Sequence, residues 1–185
     1  FKVSEGDDEN SNLIKSHIAE YTNSQNAINV NDLKSVDYRQ IQIEEFLKQN
    51  NILYARKAGD VGDERISYER RITMTLLAKI LYSYMGHPER VSSQKKKLFS
   101  DYYEEIFGNT LNLDELPPLI NLFYSVLAED CSEQKAAYVI YIMTKKSLSF
   151  TQENIKATIQ TLNQAINSYT PKTAASDARK LIQKA

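Results

Sequence analysis

One cysteine among 185 residues, Cys131, excludes an internal disulfide and suits a reducing cytoplasm. It cannot build a structural zinc site by itself, and the only histidines are His17 and His87. Five glycines and four prolines are too few for a turn-rich all-β fold. The longest near-apolar run, residues 136–143, is far short of the roughly 20 residues that a membrane span needs. No membrane partner is therefore expected, and no secretory leader pattern opens the chain. Neither sign of charge dominates. Lys and Arg number 23 against 24 Asp and Glu, a net charge of -1, so no global basic field draws the chain to nucleic acid or membrane.

What is present is ordinary for a globular protein: 42% hydrophobic and 25% charged residues, which excludes wholesale disorder. At about 150 residues per domain the length suits one domain, or one domain with an appended helical lobe. Such a chain can bury about 70% of its open surface. It opens on Phe1, and FKVSE alternates like an interior strand, so the expectation is a fragment of a longer protein.

Helical periodicity governs most of the rest. Leu13, Ile14, Ile18 and Tyr21 share one face, with Ser11 as N-cap. An Asn-rich stretch, residues 21–34, favours caps and turns over a regular element. Asp37 with Gln40 makes a capping-box pattern for a helix burying Ile41, Ile43, Phe46 and Leu47. Residues 52–57 read as a strand, able to pair with residues 1–5, and Gly59 and Gly62 mark a loop. From Ser67 a helix is expected with Ile72, Leu76, Leu77, Ile80, Leu81 and Tyr84 as its stripe, stopped by Gly86 and Pro88. Further helices are expected around Leu98 to Phe107, from Pro117, from Ser132, and from Thr151 with the stripe Ile155, Ile159, Leu162, Ile166 and Tyr169. The fold class is mostly α, a multi-helix bundle with a small β element near the N-terminus. The expected division is an α/β segment over residues 1–66, part of a larger upstream domain, and a helical bundle over 67–185.

Chemistry is sparse. Cys131 sits at an expected helix start, where the dipole would lower its pKa, yet no motif points His17 or His87 to it. A lone cysteine in a helical bundle is an inert small hydrophobe in most cases. Glu133-Gln134-Lys135 after Asp130, and Asp32-Leu33-Lys34, match the tripeptide of metal-dependent nucleases. The first falls in a helical first turn, where acids are favoured anyway, and the second has no strand before it. Gly59 and Gly62 are flanked by Asp, which would repel a phosphate. Basic clusters stand at Arg56-Lys57, at Arg65 with Arg70-Arg71, and at residues 95–97; Tyr54 and Tyr68 beside the first two suit phosphate contact with base stacking. A solvated strand end and helix face, with Glu64 and Glu69 neutralising the charge locally, is the favoured explanation. Asn23, Gln25, Asn26, Asn29 and Asn31 either read base edges or cap helices and hold an irregular connection. The candidate nucleic-acid residues are Asn23, Gln25, Asn26, Arg56 and Lys57. No catalytic residue, metal ligand or cofactor is assigned.

Residues 18–60 resemble the abortive phage infection resistance family, AIPR. The matching features are Thr22-Asn23-Ser24-Gln25-Asn26, then Asp32-Leu33, a helix, and Tyr54-Ala55-Arg56-Lys57. Leu81 to Pro88 and the Lys97-Leu98-Phe99, Tyr103 and Ile106-Phe107 run resemble it more loosely. The resemblance implies a bacterial, cytoplasmic protein connected with phage defence. Family members carry an upstream segment like IVNGxQT, and some a restriction-endonuclease-like fold; this sequence contains neither. The family lends no established catalytic residue to any position here. Two expectations follow. One is a non-catalytic domain contributing nucleic-acid contacts for an upstream nuclease-like domain. The other is a protein-interaction or structural module that senses a phage component or assembles a defence complex.

Overall fold

In the computed structural model the described residues are 33–167. The expected elements at residues 1–5 and 11–21 lie outside them, as does the tail after residue 167.

Helix α1 (Tyr38–Gln49) starts where Asp37 holds an extended backbone and its carboxylate accepts from the Arg39 amide at 2.9 Å. Gln40 does not complete a capping box. It is fully buried, and its amide bonds to Tyr54 and Tyr103 instead. Ile43 and Leu47 carry the apolar burial, with Ile41 and Phe46 only partly covered. Asn50 caps the end, Asn51 turns the chain with φ +57, and strand β1 (Ile52–Ala55) follows with all four residues buried.

The partner of β1 is β2 (Arg70–Thr73), in parallel register from Ile52↔Arg70 to Ala55↔Thr73. Two expectations are corrected here. Ile72 belongs to this strand and not to the following helix, and the first strand stops at Ala55 rather than at residue 57. Both have one cause: Thr73, opposite Ala55, is already the N-cap of α2 (Met74–Tyr84), its hydroxyl accepting from the Leu76 amide at 3.2 Å. The ladder has no residue left to pair with Arg56. A parallel pair needs a crossover of a dozen or more residues, and residues 56–69 supply it as a loop. The sheet joins residues on either side of residue 66.

After α2, Gly86 turns the chain at φ +106, the left-handed conformation that a helix C′ position favours. A short α3 (Arg90–Ser93) leads to a 3-10 turn (Lys95–Phe99) and then α4 (Tyr103–Phe107). The single helix expected here is therefore broken, because Ser100 leaves the helical region at φ -114, ψ -90. The break lets Phe99 stack on Phe107 at 6.2 Å. A 3-10 turn (Leu113–Glu115) then opens α5 (Leu116–Leu127), with its prolines in the first turn.

Helix α6 (Glu133–Lys145) is central. Ser132 caps it through the Lys135 amide, and Ala136, Ala137, Val139, Ile140, Ile142 and Met143 are buried against α2, α5 and α7. Helix α7 (Gln152–Asn167) has Thr151 accepting from the Asn154 amide at 3.3 Å. It buries Ile155, Thr158 and Leu162, whereas Ile166 is 52% exposed. Its buried stripe is narrower than expected; among the described residues α5 and α6 pack against it. Thr158 is tolerated there because its hydroxyl donates to the Asn154 carbonyl at 2.7 Å. The architecture is a helical bundle centred on α6 with a two-stranded parallel sheet at its N-terminal side.

Leu77 is fully buried in α2, facing this core. Leu77→Ala should cost about 2–5 kcal/mol of unfolding free energy in a denaturant titration. A near-neutral change would place the α2 stripe outside the core.

Candidate functional site

Arg56 leaves the end of β1 and turns inward. Its Nε donates to Glu44 Oε2 of α1 at 3.0 Å, and its Nη1 donates to the carbonyl of fully buried Ser35. Only 22% of the side chain is exposed. The guanidinium thus fastens the end of β1 to α1 and to the turn before it. Lys57, the next residue, is exposed. The expected pair of phosphate contacts is split into a structural tie and a solvated lysine. Asn23, Gln25 and Asn26 lie outside the described residues.

The loop after β1 is held by its own acids. Asp60 accepts from the Gly62 amide at 3.1 Å. Asp63 accepts from the Arg65 amide and guanidinium and from Lys48 Nζ, and the Arg65 contacts hold its carboxyl well below the usual range. Gly62 has φ +72, and a Cβ there would stand 2.5 Å from Leu53 Cδ1 and 2.9 Å from Tyr68 Cε2. A side chain at this point would have to displace Leu53 Cδ1 and the Tyr68 ring and hold a left-handed backbone. Beside it, Arg71 donates to the Asp60 carbonyl at 3.0 Å. The Arg70 guanidinium lies 5.2 Å over the Tyr124 ring, and the Tyr124 hydroxyl donates to the Arg71 carbonyl. This region therefore interleaves Lys48, Lys57, Arg65, Arg70 and Arg71 with Asp60, Asp63, Glu64 and Glu69. Charges so mixed do not focus a positive potential.

The candidates for covalent and metal chemistry are separately accounted for. Cys131 is buried, and burial pushes its thiol up, with Asp130 and Glu129 adding to the rise and Lys135 opposing it. The expected lowering by the helix dipole is overturned, since Cys131 precedes the N-cap and burial disfavours the thiolate. His87 packs on Tyr82 with ring centroids 4.7 Å apart, and its Nε2 lies 3.6 Å from Glu105. Glu133 is the first residue of α6, on a helix and not on a strand, and pairs with Lys79 of α2 at 3.0 Å. Among the described residues no group of three or more His, Cys, Asp or Glu is placed to hold a metal ion.

Two arrangements escaped the sequence. Gln40 bridges Tyr54 and Tyr103, for which the only sequence trace is a polar residue at the spacing of the buried positions 40, 43 and 47. Lys79 and Glu133 meet over a cleft between α2 and α6, and nothing in the spacing of residues so far apart announces it.

Removing the inward arginine leaves a buried carbonyl and a carboxylate short of their donor. Arg56→Ala should lower stability by about 1–3 kcal/mol, while Lys57→Ala should stay within about 0.5 kcal/mol. Denaturant unfolding of both variants checks this; equal, small effects would remove the structural role given to Arg56.

Comparison with curated proteins and with solved structures gives no match. The family model described as AIPR protein matches residues 1–183, nearly the whole chain. The chain belongs to the AIPR family, and that membership implies a part in abortive infection, a defence against phage.

Proposed function

We propose that this chain is a non-catalytic helical module of a phage-defence protein and that it works by contact with protein. The observation that supports this most is a short exposed apolar run ahead of and into α1. Leu33, Val36 and Tyr38 are 55%, 61% and 73% exposed, three large apolar side chains within six residues. Singly exposed apolar residues are ordinary; three within six residues of chain support a protein contact at this end of α1. The polar ties of Gln40, Arg39 and Arg56 hold this part of α1 firmly, so the run is presented on a rigid support. The partner is the remainder of the defence protein or another component of its complex.

The competing reading, nucleic-acid contact through Lys57, Arg65, Arg70 and Arg71, draws on the exposure of these residues and the nearby rings of Tyr68 and Tyr124. The interleaved carboxylates weigh against it.

The double variant Val36→Asp, Tyr38→Asp changes exposed positions and should leave the unfolding midpoint nearly unchanged. It should lose phage protection in cells that carry the full protein, whereas Lys57→Ala with Arg71→Ala should retain it. Titration of the chain with single- and double-stranded DNA and RNA at two salt concentrations should show no salt-dependent affinity. Binding whose log–log salt slope drops by about 0.9 per removed cation on duplex DNA would overturn the protein reading.

A further inference from the structure

A cavity of about 170 Å³ opens between α2, α3, α5 and α6. Its floor is apolar, formed by Ile80, Val91, Phe123, Ala137 and Ile140, all buried. At its rim Lys79 of α2 and Glu133 of α6 bring an ammonium and a carboxylate within 3.0 Å of each other. The hydroxyl-bearing Ser83 and Ser92 and the amide of Gln134 also line it. None of these groups serves the contact surface at residues 33–38 or the loop after β1.

Size and charge together limit what such a cavity accepts. A cavity of about 150 Å³ holds a benzene ring, so the cleft as a whole has room for one branched or aromatic hydrocarbon group, which the apolar floor would receive. Above it, adjacent opposite charges match, with signs exchanged, the ammonium and carboxylate that an α-amino acid carries on a single carbon. A molecule with only one charge would satisfy one rim residue and crowd the other with a like charge or leave it alone. The Lys79 and Glu133 side chains are 24% and 56% exposed. With Glu133 more than half exposed, water partly screens the pair, and each member can exchange its partner for a ligand's opposite charge.

We infer that this cavity binds a free apolar α-amino acid of leucine or phenylalanine size. The side chain rests on Phe123 and Ile140, the carboxylate meets Lys79, and the ammonium meets Glu133. This inference is independent of the proposed protein contact.

Isothermal titration of the 185-residue chain with L-leucine and L-phenylalanine tests it, alongside isocaproate, which lacks the ammonium, and isoamylamine, which lacks the carboxylate. The amino acids should bind saturably, and each singly charged analogue should bind at least about tenfold more weakly. Ala137→Leu, which fills the cavity, should abolish binding. Should that variant not fold, Lys79→Met and Glu133→Gln change only the rim, and each should weaken leucine binding by about tenfold. Absence of saturable heat from both amino acids would overturn the inference. So would analogues that bind as well as the amino acids, or affinity that folded Ala137→Leu, Lys79→Met and Glu133→Gln leave unchanged.

Discussion

The carboxamide of Gln40, sealed from solvent, is the joint on which the N-terminal part of this structure depends. Its oxygen accepts from the Tyr54 hydroxyl of β1, and its nitrogen donates to the Tyr103 hydroxyl of α4 at 3.1 Å. Tyr103 in turn interacts with the carboxylate of Asp37, the residue that caps α1. A helix, a strand and the helical bundle are thereby linked through one chain of polar groups. Leaving any one of these buried groups without a partner would cost about 1–3 kcal/mol. Arg39 reinforces the joint, donating to the carbonyls of Phe107 at 3.2 Å and Leu111 at 2.6 Å, and Lys34 lies 3.9 Å over the Tyr103 ring. Directional bonds of this kind fix one orientation of α1, which apolar contact alone would leave freer to slide.

That fixed orientation decides what the surface can do. Arg56 is drawn inward to Glu44 and Ser35 and lost to any ligand, while Leu33, Val36 and Tyr38 are held outward. The chain belongs to a phage-defence family, and the protein contact proposed for it draws on this placement of Arg56 inward and of Leu33, Val36 and Tyr38 outward. Elsewhere the helices pack around α6, and the cleft between α2 and α6 sets an apolar floor beneath a charged pair.

Much of this was legible from residue types. Asp37 and Thr151 cap helix starts as expected, a helix follows Ser132, Gly86 ends α2, and the apolar character of α6 marks it as the centre. These features are local, and local chemistry writes them. Several of the misreadings involve a partner far along the chain. Residues 70–73 run straight into a helix, so their pairing with β1 left no periodic trace. Gln40 fits a capping box as well as it fits two distant hydroxyls. The burial that raises the Cys131 thiol, against the dipole argument, comes from neighbours the sequence does not show. Of the candidate nucleic-acid residues, only Arg56 and Lys57 fall within the described structure, and it sends them in different directions.

Burial pushes the Tyr103 hydroxyl up to about 12 and raises Tyr54 well above its ordinary value. The folded chain therefore prefers both phenols neutral. Their contribution to stability is complete below the unfolded tyrosine pKa of about 10 and is lost as pH rises towards the folded values. Denaturant midpoints followed from about pH 9 to about pH 12, for the unaltered chain and for the double variant Tyr54→Phe, Tyr103→Phe, test the joint most directly. The unaltered chain should begin more stable and lose stability more steeply through that window than the variant. Equal starting stability with parallel pH dependence would show that Gln40 and its two tyrosines do not hold the structure together.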